Sequence, residues 1–119
     1  MLLFIEDRQE ITAAYESYFV HKGIKATCLK SSDIDIWVTA DYLKGQLIVE
    51  AVLIGNCVNI EDSVKSIRNA LDAPIVAILE NRSLTCLIDL YCKGIDDVVV
   101  KRRCMDECLS QIFTFINSK

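Results

Sequence analysis

Residues 50–59 read EAVLIGNCVN, and the apolar run inside this stretch decides the fold class that the sequence favours. Residues 51–54 are all apolar and lead directly into Gly55 and Asn56. A run of this length is typical of a strand that is buried on both faces of a parallel sheet. In open parallel sheets the functional side chains lie just beyond the carboxyl ends of the strands. The residue at that place here is a glycine, which has no side chain to offer.

Four more apolar segments indicate strands on either side of this one. One of them, residues 24–29, alternates apolar with polar side chains, as strands often do. Another begins after Pro74, a residue that suits the first position of a strand. The predicted strands cover residues 1–5, 24–29, 49–54, 75–79 and 97–100.

Between and after these strands, apolar residues recur at three- and four-residue steps and predict five amphipathic helices. Gly23 and Gly94 are expected to end the first and fourth helices, because glycine tolerates a left-handed turn. Ser31 or Ser32 is expected to cap the second helix. Strands alternating with helices predict a parallel sheet with helices on both faces. The flavodoxin-like and dinucleotide-binding arrangements both remain open, but no GxGxxG motif follows the first strand to support the latter.

The composition indicates one domain with a sizeable core. The chain has 119 residues, of which 52% are hydrophobic and 25% charged. The net charge of -4 argues against a nucleic-acid-binding surface on this segment, since such surfaces are basic. No signal peptide precedes Glu6, and no apolar stretch approaches the roughly 20 residues that span a bilayer. We therefore expect a cytoplasmic protein that does not bind membranes.

Six cysteines without an export signal are expected to be reduced thiols in or near the core. No CxxC pair is present and His21 is the single histidine, so the spacing does not predict a metal site. A redox-sensing role is an alternative that needs an exposed thiol of lowered pKa. Cys104, after two arginines, is the first candidate for such a thiol, and Cys57 is the second.

Three features together resemble the receiver domain of two-component response regulators. The acid pair Glu6-Asp7 ends the first strand, Lys101 ends the fifth, and the segment GIDDVVVK leads up to that lysine. This segment is similar to GADDYLVKP in receivers attached to winged-helix DNA-binding domains. The set AVLIG, APIVAIL and GIDDVVVKR is most similar to atypical receivers of alphaproteobacterial flagellar transcriptional regulators. The resemblance implies a flavodoxin-like (CheY-like) sheet of five parallel strands in the order 2-1-3-4-5, with five helices on both faces.

The resemblance also implies a reaction that this chain is poorly equipped to perform. Receivers phosphorylate an aspartate at the end of strand three, using Mg²⁺ held by the acid pair and that aspartate. A lysine, a Ser or Thr ending strand four, and an aromatic residue on strand five complete the switch. This chain keeps Glu6, Asp7 and Lys101, but has Gly55 beside Asn56 at the acceptor position, Leu79 at the Ser/Thr position, Val98 at the aromatic position and Arg102 in place of a proline.

Gly55 can be neither a nucleophile nor a metal ligand, and the neutral Asn56 is a poor replacement for a carboxylate at a Mg²⁺ site. We therefore expect that the chain is not an enzyme, that phosphoryl transfer is lost and that Mg²⁺ binding is weak or lost. Lys101 is then expected to pair with the acid pair for structural reasons.

Receivers of the winged-helix class dimerise through helix four, strand five and helix five, which implies a homodimer here. The candidate residues for this face carry both signs of charge: Arg82, Lys93, Asp96, Asp97, Arg102, Arg103, Asp106 and Glu107. Because residues 110–117 lack arginine, apolar contacts are expected to contribute more than salt bridges. DNA would be bound only by a domain that follows this chain, and no small-molecule substrate is expected.

Two other functions remain open on the sequence. The first is a stand-alone protein-interaction module without a DNA-binding domain. The second is a Mg²⁺-dependent hydrolase or phosphatase that uses Glu6, Asp7 and Glu80. The second has an acid pair but lacks a nucleophile and a third well-placed ligand.

Overall fold

The computed structural model describes residues 1–42, 48–55, 59–79 and 92–100, together with Ser110 and Thr114. The described strands form one parallel sheet in the order β2-β1-β3-β4-β5, which confirms the predicted topology. The strands are β1 (Leu2–Ile5), β2 (Ala26–Leu29), β3 (Ala51–Ile54), β4 (Ile75–Leu79) and β5 (Asp97–Val100).

Three of these strands begin later than predicted, and for β1 the difference is one residue, since it begins at Leu2. β2 begins at Ala26 rather than at residue 24, because the Ile24 amide donates to the Phe19 carbonyl oxygen at the end of the preceding helix. β3 begins at Ala51, although the amide of the preceding Glu50 already donates to the Met1 carbonyl oxygen at 2.9 Å. The predicted bounds of β4 and β5 are confirmed.

Within the described residues there are three α-helices: α1 (Gln9–His21), α2 (Ile34–Trp37) and α3 (Ile60–Ala70). Ser31 or Ser32 was expected to cap the second helix, and this was wrong, because the segment begins after Lys30 and has no side-chain cap. It is a composite of a 3-10 turn (Ser31–Asp33), α2 and a π turn (Val38–Tyr42). The predicted fourth and fifth helices lie largely outside the described residues, although Cys92, Lys93, Ser110 and Thr114 are helical.

The core consists of two apolar layers, one on each face of the sheet. Strand side chains alternate between the layers, so that Leu3 and Ile5 face one and Leu2 and Phe4 face the other. The first layer is completed by α2 and α3, mainly through Ile34, Trp37, Val64 and Ile67. The second layer is completed by α1 through Tyr15 and Phe19. Helices therefore cover both faces, as predicted.

Arg68, in the last turn of α3, ties that helix to the loop before β5. Its guanidinium donates to the carbonyl oxygens of Ala73 (3.0 Å) and Gly94 (2.8 and 3.1 Å) and to Oδ2 of Asp96 (2.6 Å). The same Asp96 oxygen accepts the Ile75 amide at 2.8 Å. Gly94 has a φ of +113°, a backbone conformation that favours glycine, as predicted for the end of a helix. We call these five residues the Arg68 clasp.

Candidate functional site

The ends of β1 and β3 bring Glu6 and Gly55 side by side. Ile5 and Ile54 are register partners, so the next residue of each strand lies at the same edge of the sheet. The Gly55 amide donates to the Ile5 carbonyl oxygen at 2.8 Å. On the other side, the Glu6 amide donates to the Leu29 carbonyl oxygen at 3.0 Å. The backbone thus fixes Glu6 between β2 and β3.

The Glu6 carboxylate is buried, with 1% of the residue exposed. Its Oε2 accepts the Arg8 amide at 3.1 Å, and the Nε of Arg8 lies 3.7 Å from the same oxygen. Thr12 stabilises this turn by donating its hydroxyl to the carbonyl oxygens of Glu6 (3.3 Å) and Arg8 (3.1 Å). A buried charge is costly unless it is paired and hydrogen-bonded, and here Arg8 supplies both interactions.

Glu6 also fills the space next to Gly55. A Cβ built on Gly55 would lie 2.6 Å from Oε1 of Glu6, a separation that real Cβ atoms essentially never show, and 3.2 Å from Cδ, which is tighter than most real Cβ contacts. The carboxylate therefore occupies the volume into which any side chain at position 55 would begin. The residual cavity beside it has a volume of about 10 Å³, room for roughly one water molecule. This cavity is lined by Phe4, Glu6, Arg8, Ile11, Tyr15, Gly55 and Ile78.

Asp7 points to a different partner from Glu6. Its Oδ1 accepts the Ser31 amide and its Oδ2 accepts the Ser31 hydroxyl, both at 2.7 Å. These bonds explain why Ser31 does not cap the second helix as predicted: the 3-10 turn has no side-chain cap from its own N-cap residue, and the Ser31 hydroxyl is already donated to Asp7. Asp7 thus holds the start of the second helical segment against the end of β1.

These arrangements fit a Mg²⁺ site poorly. Mg²⁺ requires near-octahedral oxygen ligands and is usually held by one or two carboxylates. Position 55 provides no side-chain oxygen, both oxygens of Asp7 accept short bonds from Ser31, and Glu6 is packed against Arg8. Across the part of the chain that the structure describes, no group of three or more His, Cys, Asp or Glu residues is arranged to hold a metal ion.

The other predicted site residues are only partly described. Val98 is buried in the layer that faces α2 and α3, next to its register partner Ala77. Leu79 is the last residue of β4 and pairs with Val100. Asn56, Lys101, Arg102 and Glu80 lie outside the described residues, so the predicted pairing of Lys101 with the acid pair stays a prediction.

Three of the dimer-face candidates are described. Lys93 is exposed, whereas Asp96 is bound within the fold by Arg68 and the Ile75 amide. Asp97 accepts the Val98 amide at 2.8 Å through Oδ1. The role of all three in a dimer stays a prediction. The remaining candidates, Arg82, Arg102, Arg103, Asp106 and Glu107, lie outside the described residues.

The two cysteine thiols that the structure describes differ in exposure: Cys92 is exposed, although the cysteines were expected in or near the core, and Cys28 is half-buried in β2. Burial together with the charge of Glu16 raises the pKa of the Cys28 thiol to about 11. A thiol with this pKa is almost wholly protonated at neutral pH and is a weak nucleophile. Cys57 and Cys104, the candidates for redox sensing, lie outside the described residues.

Sequence reasoning did not identify Arg8, and it assigned Ser31 to a helix cap rather than to this site. The signal for Ser31 was the strand order, because pairing β1 with β2 places residues 6–8 beside residues 30–31. The signal for Arg8 was its position two residues after a carboxylate at a strand end. Neither residue belongs to a motif, so both required the structure.

Comparison with solved structures identifies the fold. A two-component response regulator from Clostridium difficile superposes with a TM-score of 0.78, covering 99% of this chain and 95% of that one at 16% identity. The BeF3-activated N-terminal receiver domain of RstA from Klebsiella pneumoniae gives 0.76, covering 97% of both chains at 14% identity. The chain has the fold of response regulator receiver domains. This confirms the fold that the resemblance implied.

Sequence comparison gives a narrower similarity. The chain is 33% identical over 112 residues to the flagellar transcriptional regulator FtcR of Brucella abortus, and this alignment covers 94% of the chain. The FtcR proteins of Brucella suis and Brucella melitensis match equally well. The alignment covers 49% of FtcR, so the chain spans about half the length of the curated relatives that it matches. No protein-family model matches the chain. Among the residues described, none of the helices has the length and apolar character needed to cross a bilayer.

Proposed function

We propose that this receiver domain works without phosphorylation, as a regulatory and dimerisation module in the control of transcription. The observation that carries the proposal is the filled space at Gly55, where Glu6 lies in place of an acceptor side chain. Phosphoryl transfer to a receiver needs a carboxylate that can attack and a metal ion that neutralises the developing charge. The site offers poor support for both, so the domain is not an enzyme in this proposal and binds Mg²⁺ weakly or not at all.

The similarity to FtcR supports a role in regulating flagellar transcription. Since the chain spans about half of that relative, DNA binding in this proposal belongs to a region outside the 119 residues. We further propose that the protein acts in the cytoplasm. The net charge of -4 agrees with a segment that does not bind DNA by itself.

The absence of phosphorylation is tested with Mg²⁺ and beryllofluoride, a mimic of the phosphoryl group. We expect the amide NMR spectrum of the chain to remain unchanged at millimolar concentrations of both, because the space at Gly55 is occupied. Acetyl phosphate is expected to add no mass of a phosphoryl group to the intact protein. A receiver that has an acceptor aspartate, treated in parallel, serves as the positive control.

Saturable amide shifts near Gly55 or Leu79, or a phosphoryl adduct, would contradict the proposal. Shifts with Mg²⁺ alone would indicate that the site binds metal although it lacks the acceptor. Shifts that also require beryllofluoride would indicate that another group replaces the acceptor aspartate.

Dimerisation is tested through Lys93, the exposed candidate residue just before Gly94. Reversing its charge with Lys93→Glu is expected to raise the dimer dissociation constant about tenfold, because opposite charges at a two-fold interface become like charges. Sedimentation velocity over a range of concentrations measures this constant. Lys65→Glu is the matched control, since Lys65 is exposed on α3, which is not one of the elements of the proposed face. A chain that stays monomeric at high concentration, or equal effects of the two variants, would contradict this dimer.

A further inference from the structure

We propose that Glu6 is the residue that closes the acceptor site, so that the site is blocked by two positions acting together. This inference rests on the proposed function and names the group responsible for it. An empty acceptor position would leave a pocket beside the strand ends. Here the Glu6 carboxylate, delivered from β1, lies at that place, and the cavity that the described residues line beside it has a volume of about 10 Å³.

The geometry assigns the block to the size of Glu6. Oε1 lies 2.6 Å from the Cβ that any other residue at position 55 would carry, and Cδ lies 3.2 Å away. The Glu6 side chain has little freedom to withdraw, because the residue is 1% exposed and Oε2 is bound by the Arg8 amide. An aspartate at position 55 would therefore meet both an occupied volume and a negative charge.

The block also excludes anions and metal ions from the site. A phosphoryl group or its mimic would have to approach a buried carboxylate, which repels it at short range. A cation would have to draw Glu6 away from Arg8, which lies 3.7 Å from Oε2. The Glu6 carboxylate thus takes the place of an incoming anion, and the nearby Arg8 guanidinium offsets its charge.

The first test is the effect of Gly55→Ala on the midpoint of thermal unfolding in three backgrounds. In the natural chain we expect a fall of about 5 °C, because the added methyl group overpacks the site. In a Glu6→Asp background, where the carboxylate is one methylene shorter, the fall should disappear. In a Glu6→Gln background, which keeps the size but not the charge, the fall should persist. Glu6→Ala provides a second shortened background if Glu6→Asp does not fold.

Equal effects of Gly55→Ala in all backgrounds would overturn the inference, as would no effect in the natural chain. Replacing a glycine in an ordinary backbone conformation with alanine normally stabilises a protein. A fall in the unfolding midpoint is therefore diagnostic of a collision at position 55. The set of Gly55→Ala measurements in the different Glu6 backgrounds is a mutant cycle that uses no phosphoryl donor. Its failure would leave the proposed function standing, whereas a response of the natural chain to beryllofluoride would refute that function whatever the cycle gives.

The second test compares the response to millimolar Mg²⁺ of Gly55→Asp alone and of the double variant Glu6→Asp/Gly55→Asp. A ligand that binds only the folded protein raises its unfolding temperature. We expect Mg²⁺ to raise the midpoint of the double variant by a few degrees and to leave that of Gly55→Asp unchanged. Equal responses, including none in either variant, would overturn the assignment of the block to Glu6.

Discussion

Replacing Arg68 with alanine is expected to lower the free energy of unfolding by about 3 kcal/mol, because hydrogen bonds from a charged donor are strong and their loss leaves acceptors unpaired. Arg68 donates to two carbonyl oxygens and to the Asp96 carboxylate. Its side chain is 27% exposed, so water replaces part of what is lost. Urea denaturation followed by circular dichroism measures the change.

Two controls separate the Arg68 clasp from the general effect of shortening a side chain on α3. Lys65→Ala removes an exposed cation from the same helix and should change stability by less than about 0.5 kcal/mol. Arg68→Lys keeps the charge, but a single ammonium cannot reproduce the planar fork of donors, so we expect it to recover less than half of the loss. Equal losses for Arg68→Ala and Lys65→Ala would show that the clasp contributes little.

The Arg68 clasp also bears on the proposed dimer. Asp96 is a candidate for the dimer face, yet its Oδ2 already accepts bonds from Arg68 and the Ile75 amide. A partner residue that recruited Asp96 would compete with Arg68. Asp96→Asn should therefore reduce monomer stability even if it leaves the dimer dissociation constant unchanged, which distinguishes an internal role from an interface role.

Replacing Phe4 with alanine is expected to cost about 3 to 5 kcal/mol, the usual range for a fully buried aromatic residue. Phe4 is 1% exposed on a central strand, with its ring centroid 4.7 Å from that of Tyr15 and 6.1 Å from that of Phe19. These rings attach α1 to the sheet. Phe4 also lines the small cavity beside Glu6, so its loss would enlarge the space that the carboxylate now closes.

The urea midpoint measures this loss, and two further variants serve as controls. Phe4→Leu keeps most of the apolar volume and should cost less than about 1.5 kcal/mol. Val20→Ala changes an exposed side chain on α1 and should have almost no effect. If Phe4→Ala cost no more than Phe4→Leu, the buried apolar volume of Phe4 would not be what holds α1 in place.

The sheet could be predicted from the sequence because each strand carries its own signal. The run at residues 51–54 is apolar without interruption, and all four of its residues are buried. Strand order followed from the resemblance to a known family rather than from the runs themselves. The second helical segment was mispredicted, because its start depends on Asp7, which lies 24 residues earlier and accepts two bonds from Ser31.

The candidate site could be predicted only in part of its membership, since Arg8 and Ser31 were not assigned to it. Glu6, Asp7 and Gly55 were identified from their positions at strand ends. The direction of the Glu6 side chain could not be predicted, because it depends on the space left by Gly55 and on the Arg8 amide. The Arg68 clasp had no sequence signal either, since it joins a helix to backbone oxygens and to a carboxylate 28 residues away.

The packing of Glu6 against Gly55 has a consequence for the history of this domain. If the ancestor carried an aspartate at position 55, one nucleotide change would regenerate it from some glycine codons. On the proposed assignment, that single step would produce a collision and a cost in stability rather than a restored switch. Reversal would need a shorter residue at position 6 first, and that change alone gains no function. On this proposal, the order in which mutations must occur would keep the acceptor from returning.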